Sequence, residues 1–226
     1  MAEFFAQAFP NVVRTAAELQ KCIGQTLWMV SVSALISALF GVLFGVLLTV
    51  CAPRGIRPNR LVFQALDKFI NLFRAIPFVI MMALLLPLTR LLVGTGIGTK
   101  GAVFPLIIGT VPFFSRQIHA ALCEVDPGVV EAAQAMGSSP LEIVVRVYLR
   151  EGLPGMIRGA AITVVNLVAL SAMAGTVGGG GLGDYAIRYG FQRSQTDVTI
   201  VTVVILLLLV TLIQSLAAWL THRLNH

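Results

Sequence analysis

The sequence predicts an all-α, polytopic membrane protein with five transmembrane helices, and the distribution of charge along the chain is the basis of that prediction. Apolar residues make up 57% of the 226 positions and charged residues only 12%, which is about half the charge of a soluble domain. Residues 22–53, 159–183 and 198–222 contain no charged side chain. Each of these runs exceeds the ~20 residues that a helix needs to cross a bilayer.

Two shorter uncharged runs, residues 75–89 and 101–115, are bordered by Arg90 and Arg116. Arginine side chains can extend towards the lipid headgroups, so both runs can still cross the membrane. The expected spans of a single transmembrane domain, residues 1–226, are therefore residues 26–51, 75–93, 101–121, 159–177 and 198–220. Residues 1–24 place phenylalanines among polar side chains, which predicts a short interfacial helix before the first span.

The first span carries a small or hydroxyl side chain at every fourth position. These residues are Ser33, Ser37, Gly41, Gly45 and Thr49. They lie along one face of a helix and allow a second backbone to approach closely. The pattern predicts a packing seam rather than a ligand site.

The segment between the first two spans has an amphipathic pattern. Its polar side chains fall at helical spacing on one side: Gln64, Asp67, Lys68, Asn71 and Arg74. Leucine, isoleucine and phenylalanine occupy much of the remaining surface. We expect a helix at the membrane interface that leads into the second span. It is either a simple elbow at the membrane surface or a site of partner contact.

Residues 126–154 form the longest polar interval between hydrophobic runs, and they carry the signals of two capped helices. Asp126 precedes Pro127, and Gly137 can end the helix that begins there. Ser139, Pro140 and Glu142 then match a capping box with proline at the first helical position. A compact helical hairpin between two spans predicts a docking site for another protein.

The fourth span has a polar face, and a glycine-rich segment follows it. Thr163, Asn166, Met173 and Thr176 fall within one arc of the helix. Polar groups within a span either bond to a neighbouring helix or serve a transport path. Residues 178–183 read GGGGLG, which predicts either a hinge at the end of the span or a plain turn.

The sequence offers little support for an enzyme. Gly178, Gly180 and Gly183 match a dinucleotide fingerprint by spacing, but they follow a membrane helix and open no βαβ unit. Residues 94–101 fail the spacing of a phosphate-binding loop. The three cysteines and three histidines are scattered, so no metal site and no catalytic residue are expected.

The positive charges predict an orientation in the membrane. With the N-terminus outside and the C-terminus inside, ten of the sixteen lysines and arginines fall in inner segments and six in outer ones. This excess follows the positive-inside rule. The capped hairpin then lies in the cytoplasm. A net charge of +6 distributed in this way does not indicate a nucleic-acid partner.

The hairpin also carries a resemblance to a known family. Glu131-Ala132-Ala133, followed four positions later by Gly137, resembles the signature of the permease subunits of bacterial ABC importers. That signature continues to Ile-x-Leu-Pro, and Val147 and Leu149 occupy its Ile and Leu positions here. Arg150 replaces the proline, which leaves the exact end of the hairpin open. Residues 71–78 are also similar to the family, and residues 171–183 look most like those of the methionine-uptake permeases.

The resemblance implies a type I ABC importer permease fold in the bacterial cytoplasmic (inner) membrane, in contact with lipid. It implies a homodimer, two ATPase subunits on the coupling hairpin, residues 123–158, and an external substrate-binding (lipo)protein. The chain itself would bind no cofactor, since ATP and Mg²⁺ would sit on the ATPase. The implied cargo is D- and L-methionine. The implied ATPase-coupling residues are Glu131, Ala132, Ala133, Met136, Gly137, Ser139 and Leu141.

Two further sets of residues are candidates for the transport route. We expect the translocation path to include Asn166, Ser171, Met173 and Thr176, and the gate hinge to comprise Gly178, Gly179, Gly180, Gly181 and Gly183. Ala132 and Ala133 are small enough to permit close docking, and Glu131 can pair with basic groups of the ATPase. The alternatives are a permease for another amino acid or small solute, a membrane scaffold that recruits a soluble partner, and a membrane-embedded enzyme.

Overall fold

A computed structural model describes residues 9–224, and within them every regular element is helical. The helices before the polar hairpin are α1 (Pro10–Arg14), α2 (Ala16–Cys51), α3 (Arg60–Ala75), α4 (Phe78–Val93) and α5 (Gly98–Cys123). The hairpin contains α6 (Pro127–Ala135), α7 (Pro140–Ile143) and α8 (Leu149–Glu151), with a π-helical turn at Val144–Tyr148. The last helices are α9 (Leu153–Thr176), α10 (Gly181–Tyr185) and α11 (Thr196–Leu224), with a second π-helical turn at Ala186–Phe191.

Among the described residues, four helices are long and apolar enough to cross a membrane: α2, α5, α9 and α11. The number rises to five if the bent pair α3 and α4 counts as one span. By itself α4 has 16 residues, which gives a length of about 24 Å against a hydrocarbon core of about 30 Å. The break between α3 and α4 follows from Pro77, because the residue before a proline is disfavoured in the helical conformation. Ile76 is accordingly extended, with ψ at 123°.

The N-terminal part of the chain differs from the sequence prediction. The interfacial helix expected over residues 1–24 is described only as the five-residue α1, and α2 already begins at Ala16. Residues 1–8, including Phe4 and Phe5, lie outside the described residues. The early start of α2 is compatible with its charges, because Glu18 and Lys21 lie one helical turn apart and form a partly exposed ion pair at 3.3 Å.

The chain divides into two compact units. One unit comprises the N-terminal residues up to Ala34, together with Pro77–Ile107 and Val164–Ile213. Its core contains Val12, Cys22, Tyr185 and Val198. The backbone N–H and side-chain amide of Asn11 donate to the carboxylate of Asp197 at 3.0 and 3.1 Å. These bonds tie the short α1 to the start of α11.

The other unit comprises Leu35–Ile76, Ile108–Thr163 and the residues from Gln214 onward. Its core joins the end of α5 to the hairpin and contains Phe114, Ile118, Leu122, Val125, Val130, Ala133, Ile143 and Tyr148. The hairpin is therefore packed into a hydrophobic core of its own unit. Its position depends on α5, from which it continues after a short turn.

The packing seam predicted for the first span is confirmed. Ser33, Ser37, Gly41, Gly45 and Thr49 are all buried. A Cβ atom placed on Gly41 would lie 2.5 Å from a ring carbon of Phe114, and one on Gly45 would lie 2.6 Å from Ile118 Cβ. Real Cβ atoms do not tolerate such distances, so glycine at these positions allows α2 and α5 to pack closely.

Candidate functional site

The first helix of the hairpin begins as the sequence predicts. Asp126 Oδ1 accepts a hydrogen bond from the backbone N–H of Gly128 at 2.8 Å. Pro127 occupies the first helical position, where its missing N–H is not needed. This cap fixes the direction in which the chain leaves α5 and enters α6.

The first helix also ends at the predicted glycine. Gly137 has φ of +79°, a conformation that costs other residues roughly 1–2 kcal/mol. The N–H of Gly137 donates to the carbonyl of Gln134 at 2.9 Å, and the N–H of Ser138 donates to that of Ala133 at 3.1 Å. These two bonds form a Schellman motif, which satisfies the last carbonyls of α6 and reverses the chain.

A capping box starts the second helix. The backbone N–H and hydroxyl of Ser139 each donate to Glu142 Oε2 at 2.8 Å, and the N–H of Glu142 donates to Ser139 Oγ at 3.3 Å. The two bonds from Ser139 hold the pKa of the Glu142 carboxyl below its usual value, since both stabilise the ionised form. The hairpin thus has a fixed turn between two capped helices, as predicted.

The exposed apolar side chains of the hairpin cluster around its turn. Met136 is 80% exposed and Leu141 is 73% exposed, while Ala132 is also exposed. Ala133, by contrast, is only 5% exposed and packs in the core of its unit. Adjacent residues of a helix point about 100° apart, so Ala133 faces the core while Ala132 faces outward. The role of Ala133 in coupling to the ATPase stays a prediction.

Glu131 borders a cavity of about 460 Å³. The cavity is also lined by Arg54, Gln134 and Tyr148. Within residues 9–224, Glu131 forms no ion pair. Sequence reasoning missed this cavity, because the loop after α2 and the hairpin that enclose it are more than 60 positions apart.

The second helix contains a feature with no clear sequence signal. Val144–Tyr148 forms a π-helical turn, and the N–H of Leu149 donates to the carbonyl of Val144. The extra residue in this turn changes the register of the side chains that follow. Within the turn, Tyr148 is buried against the core of the unit, whereas Val145 is 54% exposed.

The fourth predicted span, now α9, has two different polar faces. Met173 is 48% exposed, and it shares a face with Thr176, which is exposed, and Asn166, which is half-buried. Asn166 makes no side-chain hydrogen bond within the part of the chain that the structure describes. These three residues present an open face with an unpaired amide.

Ser171 lies on the opposite side of α9. It is 2% exposed, and its hydroxyl donates to the carbonyl of Val168 at 2.7 Å. Ser171 is thus paired and covered within this chain, unlike Met173, and its place on the translocation path stays a prediction. Thr163 is similarly buried and donates to the carbonyl of Gly159.

The glycine-rich segment is held by side chains of α2. Gly181 N–H donates to Gln25 Oε1 at 2.9 Å, and Leu182 N–H donates to Thr26 Oγ1 at 2.8 Å. Gly178, Gly180 and Gly181 have φ of +87°, +75° and +77°, which only glycine adopts readily. Gly179 is also buried. A backbone of this kind reverses direction within four residues.

Gly183, the last glycine of the predicted hinge, differs from the others in its surroundings. It lies inside α10 and is buried. A Cβ atom on it would collide with the carbonyl oxygen of Ala172. Glycine is needed at this position because α10 packs against the backbone of α9, and the hinge role of Gly183 stays a prediction.

Comparisons with known proteins give consistent results. A family model described as "Binding-protein-dependent transport system inner membrane component" matches residues 41–226. The "Probable D-methionine transport system permease protein MetI" of Vibrio cholerae is 47% identical over 202 residues, which are 89% of this chain and 90% of that protein. The "Methionine import system permease protein MetP" of Bacillus subtilis is 39% identical over 218 residues, 96% of this chain and 97% of that protein.

Solved structures show the same similarity. A chain of "Inward facing conformations of the MetNI methionine ABC transporter" superposes with a TM-score of 0.92 at 38% identity, covering 94% of this chain and 99% of that chain. A chain of an amino acid ABC transporter superposes with a TM-score of 0.77 at 17% identity, covering 95% of this chain and 98% of that chain. The second similarity concerns the fold alone.

Proposed function

This chain belongs to the family of binding-protein-dependent transport system inner membrane components, and from that premise we propose that it is the permease of a methionine importer. Methionine is proposed as the substrate because of the 47% identity to a D-methionine permease over nearly the full length of both chains. The similarity to a chain of the MetNI methionine ABC transporter supports it. The chain is a multi-pass protein of the inner membrane with the type I ABC importer permease fold.

The transporter contains two copies of this chain, two ATPase subunits and an external binding protein. A large apolar surface is available to the second copy, since only 6% of the most apolar 18-residue stretch of α11 is buried within one chain. This surface faces lipid or another copy of the chain. The N-terminus lies outside and the C-terminus inside, as the positive charges favour, and this orientation puts the hairpin in the cytoplasm.

The turn of the hairpin is the surface that docks the ATPase. Met136 and Leu141 project from it, with Ala132, Gly137 and Ser139 beside them. Because the turn is capped and well packed, its backbone has little conformational freedom to lose on docking, and the entropic cost is confined to the side chains. Ala133 supports the surface from behind, and Glu131 lies beside it at the cavity. ATP and Mg²⁺ are bound by the ATPase, and its closure moves the hairpins.

The open face of α9 lines the translocation path. Asn166 offers an unpaired amide that can both donate and accept hydrogen bonds, which suits the ammonium and carboxylate groups of an amino acid. Met173 adds a polarizable thioether that adapts to an apolar side chain such as that of methionine. Thr176 lies at the end of this face, next to the glycine segment, which forms the gate through Gly178–Gly181. Alternation between two packings of these helices then exposes the path to each side in turn.

Uptake by proteoliposomes tests this function. They contain the chain with its ATPase and binding protein, and ATP is enclosed on the side of the ATPase. We expect ATP-dependent accumulation of labelled methionine. Accumulation of a different amino acid would leave the assignment as a permease intact but would contradict methionine as its substrate. Docking of the ATPase without accumulation of any solute would favour a scaffold.

A second experiment tests the docking surface. Replacing both Met136 and Leu141 with serine removes the apolar contact, and we expect the affinity for the ATPase to fall at least tenfold. Each side chain buries apolar surface worth about 1.5–3 kcal/mol when fully covered. Leu61→Ser is the matched control, since Leu61 is 81% exposed but lies on α3. Equal co-purification of the ATPase with the wild type, the double variant and Leu61→Ser would contradict the assignment of the hairpin turn as the docking surface.

A further inference from the structure

Arg116 is a charged residue in α5, a helix that is long and apolar enough to cross a membrane. Its side chain is 27% exposed, and Nη2 lies 2.6 Å from Oδ1 of Asp67 on α3. The same Nη2 donates to Asn71 Oδ1 at 3.1 Å. Asn71 Nδ2 in turn donates to Asp67 Oδ2 at 3.0 Å. The three side chains therefore form a closed set of hydrogen bonds between two helices, which we name the clamp.

Two ring contacts lie on either side of the clamp. Towards the end of α3, the guanidinium of Arg74 lies 6.0 Å from the ring centroid of Phe113. Towards its start, the ring of Phe63 lies 6.3 Å from that of His119. Later residues of α3 thus meet earlier residues of α5. The two helices run in opposite directions along a shared face, with the clamp at its centre.

The clamp sits on the helix that leads into the hairpin. Leu122 and Val125, at the end of α5 and just after it, belong to the same core cluster as Val130 and Ile143 of the hairpin. A displacement of the hairpin is therefore carried directly to α5. In sequence, α3 immediately precedes α4, from which only Ile76 and Pro77 separate it.

The charges of the clamp restrict how α3 and α5 can move past each other. Apolar side chains can slide by small steps with little loss of contact, whereas charge-assisted hydrogen bonds require one geometry. Separating Arg116 from Asp67 breaks a charge-assisted bond between side chains that are only 27% and 31% exposed, and such bonds are about twice as strong as neutral ones. Such bonds favour joint movement of the two helices over sliding between them.

We propose that Arg116, Asp67 and Asn71 transmit the movement of the hairpin from α5 to α3. The inference rests on the proposed transport function, in which the ATPase moves the hairpin. The three are positioning residues, since none of them lies on the open face of α9. Their role is to couple each cycle of ATP hydrolysis to the transport of substrate.

The first test compares Asp67→Asn and Arg116→Gln with the wild-type transporter in proteoliposomes. We expect assembly and ATP hydrolysis to continue, while the methionine transported per ATP falls at least fivefold. Lys68→Gln is the matched control, because Lys68 is an exposed neighbour on α3 that forms no ion pair among the described residues. Exchange of the charges in Arg116→Asp with Asp67→Arg should recover at least half of the lost ratio.

Three results would overturn the proposed role of the clamp in transmitting movement. One is a wild-type ratio in both single variants. Another is a loss of uptake and hydrolysis in equal proportion to a drop in melting temperature, which shows a purely structural role. The third is an exchanged pair that melts like the wild type but recovers nothing. If the wild type itself fails to accumulate methionine, the proposed function fails instead.

A second measurement does not depend on the substrate or on the stability of the charge variants. Spin labels at Gln64 on α3 and Ala120 on α5, both exposed, report the distance between the two helices. In the wild-type background of the assembled transporter, we expect one narrow distance distribution with and without ATP. Arg116→Lys keeps the charge but cannot form the same planar pair of bonds, so the distribution should broaden when ATP is added. A distance that changes with ATP in the wild type would refute the clamp.

Discussion

Replacing Gly137 with alanine isolates the conformation of the hairpin turn from its packing. Gly137 has φ of +79°, and a Cβ atom placed on it would meet nothing within 4 Å. The substitution therefore causes no collision, and its whole cost is that of the left-handed backbone, roughly 1–2 kcal/mol. A cost of this size changes an equilibrium between formed and unformed turns by a factor of about 5–30.

The consequence for docking follows from that equilibrium. If the ATPase binds only the formed turn, its apparent affinity falls in proportion to the fraction of turns that remain formed. We expect Gly137→Ala to weaken ATPase binding by up to about 30-fold, the upper end of the range above. Gly137→Asn should lose less, because asparagine tolerates this conformation better than alanine. Binding is measured by titration of the purified permease in detergent with the ATPase.

Gly94 provides a matched control for this experiment. It ends α4 with φ of +81°, and it too has open space where a Cβ atom would stand. Gly94→Ala therefore carries the same conformational cost at a site outside the hairpin. We expect normal ATPase binding with a similar loss of thermal stability. Equal binding by the Gly137 and Gly94 variants would refute the reasoning.

Three other outcomes are expected. The two hydrogen bonds from Ser139 lower the folded-state pKa of Glu142. The ionised carboxylate therefore stabilises the hairpin fully at pH values above its ordinary pKa of about 4.3. This stabilisation is lost as the pH falls through the lowered value, and Glu142→Gln should remove that pH dependence from hydrogen exchange in α7. Gly183→Ala should lower the melting temperature, since overpacking costs typically about 1–3 kcal/mol. Gly24→Ala should not, because a Cβ atom on Gly24 would meet no other atom within 4 Å. Met173→Ala should change the rate of methionine uptake without affecting ATPase binding, while Ser171→Ala should leave the uptake rate unchanged.

Local features of the hairpin could be predicted because their causes are local. Asp126, Ser139 and Glu142 cap the backbone within three residues of themselves, and Gly137 relieves a strain that arises at its own φ angle. Such interactions depend on the residues that are adjacent in sequence. The small-residue seam of α2 was equally legible, since a spacing of four residues places side chains on one helix face.

Which individual side chains of a helix are buried was harder to predict. Ala132 and Ala133 are identical in the sequence, yet only Ala133 is packed against the core. Ser171 matches the polar character of the open face of α9 but lies on the other side. Which face of a helix is covered depends on the helices that pack against it, and those helices are distant in sequence.

By itself the sequence determined the class of the protein, its long apolar helices and the caps of its hairpin, because hydrophobicity and capping act over short distances along the chain. Tertiary structure alone decided that Arg116 meets Asp67, that Glu131 borders a cavity with Arg54, and that Gly183 lies against Ala172. Each of these contacts joins segments that only folding brings together. Their physical basis is the close packing of helices, which leaves few positions for a charge or a side chain once neighbouring backbones are in contact.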